Sequence, residues 1–335
     1  MLASDTPLRA EFDSVMATAT SNDVTAEAMP DQSGRTVIVT GANSGIGFEA
    51  TKAFARKGAR VVMACRSIDR ATRAKREIES TVGDASLTVR ELDLGSQASV
   101  QQFAEEFDAG FDRLDVLVNN AGVMMPPYST TEDGFELQFG VNHLGHFALT
   151  GRLLDNLIET DGETRVVTQS SLAHDNGDID FDDLHRNRSY GRVESYGQSK
   201  LANLLFTYEL DRRLRAIGAG TIAVASHPGW SATGLQDGDS EMDASVARRI
   251  LGRAANAVFA QSAAEGALPA LYAATAANVD GGHYFGPDGF REMQGNPTRV
   301  TSNAKSYDHE TARRLWEVSE ELTGVTFDFE EKVVA

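Results

Sequence analysis

The sequence predicts an α/β protein built on a doubly wound parallel sheet of about seven strands in a single domain. Three observations carry this: β-branched runs alternate with helical patterns from residue 35 onward, a glycine-rich turn joins the first strand to the first helix, and the polar motifs recur at strand ends. At 335 residues the chain can bury a full core, and 41% hydrophobic with 24% charged residues is ordinary for a globular protein.

Composition narrows the partners. A net charge of -18 repels nucleic acid and anionic lipid, so neither is expected as a partner. No run of about 18 apolar residues occurs, so no membrane insertion is expected. Cys65 is the single cysteine, which excludes an internal disulfide framework and a cysteine-based zinc site and fits a reducing cytoplasm. Residues 1–33 read as a disordered acidic tail without the apolar core of a secretory signal. The domain is expected over 34–290 with a helical substrate lid near 231–262, and 291–335 reads as an extension with one helix. Lysine is confined to six positions while arginine is abundant, which suits either a salt-adapted source or an unexceptional acidic protein.

Taken in order, Arg35–Thr40 is a β-branched run flanked by glycine, the pattern of a buried parallel strand. Gly41-Ala-Asn-Ser-Gly45-Ile-Gly47 follows, and Phe48–Lys57 has helical periodicity. Glycines at 41, 45 and 47 permit a tight turn and close approach of the backbone to a pyrophosphate at the positive end of the helix. The Gly-Lys-Ser/Thr ending of a P-loop is missing, so nucleoside triphosphate hydrolysis loses its main support. This is the opening of a Rossmann-type sheet. The second strand, Arg60–Cys65, ends where an acidic residue would hold the ribose 2′-hydroxyl of NAD; the residue there is Arg66, whose guanidinium suits a 2′-phosphate, so NADP is expected and NAD disfavoured.

Ile68–Ser80 reads as a helix and Ser86–Leu92 as the third strand, with Asp93 at its end able to accept from an adenine amino group. Ser96–Ala109 is a serine-capped helix, and Leu114–Val118 is the fourth strand, running into Asn119-Asn120-Ala121-Gly122. Phe135–Ile158 reads as one long helix. Within it His143 and His146 lack a third ligand at metal spacing, so packing is preferred and no metal is expected. Thr164–Gln169 is the fifth strand, leading to Ser170 and Ser171, either of which suits a turn. The charged stretch 174–188 reads as a solvated rim. Tyr196 and Lys200 stand four residues apart, hence on one helix face, and a neighbouring cation favours an ionised phenol, so the pair is a candidate acid/base unit. Gly220–Ser226 is the sixth strand, Ser262–Ala277 a buried helix, Gly282–Gly286 the seventh strand and Glu310–Leu322 the last helix.

Thr40-Gly-Ala-Asn-Ser-Gly-Ile-Gly47, Asn119-Asn-Ala-Gly122, a serine after the fifth strand and Tyr196-x-x-x-Lys200, in this order, resemble the short-chain dehydrogenase/reductase superfamily over roughly Gly34 to Pro287. Val141–Phe147, Ser170–His174 and Ser199–Phe206 are similar to its retinol-dehydrogenase-like branch. The resemblance implies coenzyme contacts from Gly41, Asn43, Ser44, Gly45, Ile46, Gly47, Arg66, Asp93, Leu94, Asn120, Ala121, Gly122, Tyr196 and Lys200, and from Pro228, Gly229 and Thr233 near the nicotinamide. It implies Ser171 as the serine that orients the substrate oxygen and Asn142 as holder of a proton-relaying water. Trp230 either faces the substrate or staples its loop. The implied function is an NADP-dependent oxidoreductase acting on a small-molecule aldehyde, ketone or alcohol. The alternative is a catalytically silent NADP-sensing regulator, which would be expected to lack Tyr196, Lys200 or Ser171. The superfamily's paired helices imply a homodimer or homotetramer through Leu149, Leu153, Leu201, Leu205 and Tyr208, in a branch that also includes monomers.

Overall fold

A computed structural model describes residues 25–229 and 262–329. The first 24 residues, Trp230, Thr233 and nearly all of the expected lid lie outside the described residues. The elements in chain order are β1 (Thr36–Thr40), α1 (Gly45–Arg56), β2 (Arg60–Cys65), α2 (Ile68–Thr81), β3 (Ser86–Glu91), α3 (Gln97–Gly110) and β4 (Val116–Asn119). Then α4 runs through Leu137–Phe139, Gly140–Leu144 and Gly145–Arg152, followed by α5 (Leu154–Glu159), β5 (Thr164–Gln169), α6 (Arg192–Ala216) and β6 (Thr221–Ser226). The chain closes with α7 (Ala263–Thr275), β7 (Tyr284–Pro287), β8 (Pro297–Val300) and α8 (His309–Thr323).

The sheet has the order β3-β2-β1-β4-β5-β6-β7-β8. Its pairs are parallel from β3 through β7, and β8 returns antiparallel on β7. Strand order reverses between β1 and β4, which opens a crevice at the carboxyl ends of those strands. Side-chain alternation divides the core into two layers. Val37, Val39, Val61 and Met63 face α1, α2 and α7, while Ile38, Val62 and Ala64 face α3, α4 and α6. Both layers are apolar, which is why the central strands read as continuous hydrophobic runs.

Two departures from the sequence reading matter. The sheet gains an eighth strand beyond the expected seven, because Pro297–Val300 pairs at the edge; a proline tolerates only the first or outer position of a strand, so so short a run carries little signal. The expected long helix is also not uniform. It turns π-helically at Gly140–Leu144 and breaks at Leu153 before α5. A Cβ on Gly145 would stand 2.4 Å from Leu94 O, so glycine lets the helix lie directly on the loop after β3.

The C-terminal helix belongs to the same core. Trp316, Val325 and Phe327 pack against Phe147 of α4 and Phe206 of α6. Leu149, Leu153, Leu201 and Leu205, which the sequence reading assigned to a subunit seam, are at most 1% exposed within the single chain. They are core residues. Among the described residues no helix is long and apolar enough to cross a membrane.

Candidate active site

The glycine turn stands at the switch crevice. Gly41 and Gly45 take φ of 68° and 53°, which glycine adopts without a Cβ clash. At Gly47 a Cβ would lie 2.4 Å from Gly41 O, so the first turn of α1 folds back onto the loop only as glycine. Ser44 precedes α1 without a side-chain cap, leaving its first N–H groups for another acceptor. Asn43 and Ile46 complete the turn beside β1 and β2. Arg66 follows Ala64, the register partner of Thr40, by two residues; it is exposed, and its guanidinium makes no ion pair among the described residues. Asp93 accepts Gly95 N–H on Oδ1 at 2.9 Å, and Leu94 is buried beneath α4.

Thr40 ties the turn to the loop after β4. Its Oγ1 accepts N–H from Asn120 and from Ala121, each at 2.9 Å, and Asn120 Nδ2 donates to Thr40 O at 2.8 Å. His146 completes the brace. Its Nδ1 lies 3.0 Å from Asn142 O, and a carbonyl can only accept, so the ring proton sits on Nδ1 and Nε2 accepts from Thr40 Oγ1 at 2.9 Å. Burial holds His146 down to about 4, so the ring is neutral in this geometry. The packing role expected for this histidine is thus a specific one: it joins the glycine turn to the π-turn that carries Asn142. A histidine inside the Val141–Phe147 motif was the available signal.

Asn142 is fully buried. Its Oδ1 accepts Val123 N–H at 2.8 Å, and its Nδ2 donates to Val123 O at 3.0 Å and to Ser199 Oγ at 2.9 Å. Its amide therefore clamps the loop at Gly122, where a Cβ would lie 3.1 Å from Asn142 Oδ1 and 3.7 Å from Lys200 Nζ.

Lys200 is 4% exposed, and among the described residues its ammonium donates to one acceptor, Gln169 O at 3.2 Å. An ammonium has three donors, so the site is built for further acceptors. Burial lowers Lys200 to about 8. Tyr196, one turn earlier on α6, is 8% exposed; burial raises its phenol to about 12, and the hydrogen bond to Ser171 pulls weakly the other way. This corrects the expectation that Lys200 brings the phenol down: within the protein Nζ lies over the Tyr196 ring, 5.6 Å from its centroid, and desolvation wins.

The two candidate serines are separated by their partners. Ser170 Oγ donates to Lys200 O at 2.9 Å and is a structural link. Ser171 Oγ accepts Ala173 N–H at 3.2 Å, capping the 3₁₀ turn Leu172–Asn176, and Ser171 is the serine whose hydroxyl acts on the Tyr196 phenol, pulling its pKa down. Gly197 explains their proximity. A Cβ there would lie 2.9 Å from Ala173 O, and one on Gly177 would lie 2.4 Å from Gly197 O, so α6 and the turn after β5 touch backbone to backbone. A glycine inside a helix costs about 1 kcal/mol against alanine, and this contact is its compensation.

The stretch 174–188 is less solvated than expected. His174 is buried, with Nδ1 2.7 Å from Ser171 O and Nε2 accepting Asn303 N–H at 3.2 Å; Asp183 is buried too, accepting Asn187 N–H at 2.8 Å. Tyr190 was missed. Its hydroxyl donates to Pro126 O at 2.8 Å and accepts from Gln138 Nε2 at 3.0 Å, while Gln138 Oε1 accepts Met125 N–H at 2.8 Å. These contacts hold the loop beyond Gly122, in which Met125 takes φ 53°. Pro228 and Gly229 follow β6 at the same carboxyl edge.

Comparison with known proteins agrees with this geometry. The family model described as short chain dehydrogenase matches residues 35–244. Retinol dehydrogenase 12 of Mus musculus is 42% identical over 297 residues, covering 88% of each chain. Retinol dehydrogenase 13 of Homo sapiens is 41% identical over 311 residues, covering 90% of this chain and 89% of that one. A crystal structure of an uncharacterized protein from Mycobacterium paratuberculosis superposes with a TM-score of 0.75 at 39% identity, covering 92% of this chain and all of that one. The glycine turn at the switch crevice and the buried Tyr196–Lys200 face thus stand in a chain that belongs to the short-chain dehydrogenase family, in its retinol-dehydrogenase-like branch, and is a nicotinamide-dependent oxidoreductase acting on CH–OH or C=O groups.

Proposed function

We propose that the chain is an NADPH-dependent carbonyl reductase or the corresponding alcohol dehydrogenase, with Tyr196, Lys200 and Ser171 as its reacting side chains. The observation that carries this is Lys200: a buried ammonium with one acceptor among the described residues, beside Gly122 and one helical turn from a buried phenol. Such a group calls for hydroxyl oxygens to complete its hydrogen bonds, and a ribose supplies two.

The residues fit a dinucleotide along the crevice. Gly41, Asn43, Ser44, Gly45, Ile46 and Gly47 would hold the pyrophosphate at the α1 N-terminus. Asp93 and Leu94 would border the adenine, Arg66 would pair with the 2′-phosphate, and Asn120, Ala121 and Gly122 would line the middle of the cleft. Pro228, Gly229 and Thr233 would border the nicotinamide, which supplies or takes up the hydride when bound.

In reduction Ser171 orients the substrate oxygen and Tyr196 donates a proton to it. A phenol held near 12 is fully protonated at neutral pH, which is the form a donor needs. Lys200 holds the ribose and stabilises the phenolate left behind, its cation counting most once the phenol has ionised. Asn142 keeps Val123 and Gly122 against Lys200. The loop that follows Gly122, Val123–Pro127, is apolar in sequence, which favours a substrate with an apolar body, the class to which the retinol in its relatives' names belongs.

NADPH consumption over a panel of apolar aldehydes and ketones tests the reading together with Tyr196→Phe, which removes one oxygen and leaves the ring. Turnover is expected to fall about 10²-fold or more with coenzyme affinity nearly unchanged. A variant that keeps near wild-type turnover would show that another group moves the proton.

A further inference from the structure

The chain leaves β6 at His227, whose imidazole is wholly enclosed. The ring lies over β7 at Gly286, where a Cβ would come within 1.9 Å of Nε2, and packs 5.1 Å from the Tyr284 ring. Its two nitrogens are committed to different partners. Nδ1 accepts Gly229 N–H at 3.2 Å and therefore carries no proton, so the ring hydrogen is on Nε2, which donates to Glu292 Oε2 at 3.0 Å.

Glu292 reaches this place through an unusual backbone. Arg291 and Glu292 take φ of 51° and 56°, two successive non-glycine residues in the left-handed region. Such a conformation is unfavourable for a residue with a Cβ, and strain of this kind persists where surrounding contacts over-determine it. Here the contact is the carboxylate on His227. The pair links the turn after β7 to the turn after β6, two neighbouring segments at the carboxyl edge of the sheet.

We infer that the His227–Glu292 pair is a positioning device that sets the Pro228–Gly229 turn, and through it the nicotinamide end of the coenzyme cleft. The inference rests on the coenzyme reading proposed above. Glu292 holds the imidazole in one tautomer, and the bare Nδ1 holds the N–H of Gly229, which stands at φ 65° at the carboxyl edge of β6. The role inferred for His227 and Glu292 is to hold this turn, through their bonds to each other and to Gly229.

The test compares NADPH with its adenosine half, 2′,5′-ADP, by calorimetry on the full chain. The Glu292 side chain is 36% exposed, so its shortening is expected to leave the fold intact, which thermal melting checks. Glu292→Ala and Glu292→Asp should each weaken NADPH about 10-fold, as loss of a hydrogen bond to a charged group does, and leave 2′,5′-ADP within about 2-fold. Glu292→Gln keeps an oxygen acceptor for Nε2–H and should stay within about 3-fold of wild type for both ligands. Unchanged NADPH affinity in the Ala and Asp variants, or equal losses for NADPH and 2′,5′-ADP, would overturn the inference and leave the coenzyme reading standing. A wild-type chain that binds neither ligand would overturn the coenzyme reading itself, and the inference with it.

Discussion

Replacing Lys200 by methionine should make the protein more stable while abolishing its turnover. Methionine keeps the length and apolar stem of lysine, a residue 4% exposed here, and deletes an ammonium with one acceptor among the described residues. The acceptor does not suffer, because Gln169 O also receives Asn203 Nδ2 at 3.0 Å. Burial takes Lys200 from 10.5 to about 8. At ~1.4 kcal/mol per pKa unit, keeping the charged form in the folded state at pH 7 costs about 3 kcal/mol, and loss of the hydrogen bond returns roughly 1–2 kcal/mol of that. A net gain of about 1–3 kcal/mol is expected in urea unfolding at pH 7. The sign of the pH dependence follows. Between about 8 and 10.5 the unfolded chain binds more protons at this lysine than the folded one, so wild-type stability rises with pH there and the variant's advantage shrinks, by about 2 kcal/mol at pH 9.5. A variant that is less stable than wild type at pH 7, or whose advantage does not change between pH 7 and 9.5, would refute the argument that this ammonium is under-solvated in the protein.

Three further outcomes are expected. Arg66→Ala should weaken NADPH much more than NADH, since a guanidinium pairs with a phosphate in a way other side chains do not; equal losses in titrations with both coenzymes would show that Arg66 does not meet the 2′-phosphate. Burial lowers His143 to about 3 and His146 to about 4 from an ordinary 6.5, so the unfolded chain binds the extra protons as pH falls below 6.5. Their contribution to stability is complete above that pH and declines by up to ~3 kcal/mol per pH unit towards pH 4, so a urea midpoint that stays flat from pH 7 to 5 would contradict the buried, neutral state of both rings. With a net charge of -18, the melting temperature should rise from dilute buffer to molar KCl as the Debye length falls from about 30 Å to about 3 Å; a flat or falling value would remove carboxylate repulsion as a main term.

The sheet was legible because buried parallel strands write their own signature. Arg60–Cys65 and Thr164–Gln169 were read to the residue, and the other strands of the first seven within about two residues at either end, from their β-branched runs. Tyr196 and Lys200 were legible as a helical pair, and Ser171 was chosen over Ser170 by resemblance; in the structure Ser170 Oγ is committed to Lys200 O while Ser171 acts on the Tyr196 phenol. What escaped depends on contacts distant in sequence. The π-turn at Gly140–Leu144 is set by Gly145 lying on Leu94 O, the left-handed Arg291 and Glu292 by His227 some sixty residues away, and β8 by an edge that only β7 provides. The Tyr196 shift was read with the wrong sign because spacing along a helix reveals a neighbouring charge but not how deeply both groups are buried.

The closure of the core by α8 and the residues after it bears on how the chain is made. Trp316 and Phe327 meet with tilted rings 4.5 Å between centroids and cover Phe147 and Phe206, while Gly151 gives the space into which Val325 and Phe327 fit. During synthesis the sheet from β1 to β6 is complete when residue 226 has left the ribosome, yet this aromatic seam stays open for about a hundred residues more. A nascent chain therefore presents Phe147 and Phe206 to solvent, chaperones or another nascent chain until its last aromatic residues emerge. A stop codon shortly after β8 would leave every proposed reacting side chain in place and make that exposure permanent, so such a product is expected to be lost to aggregation.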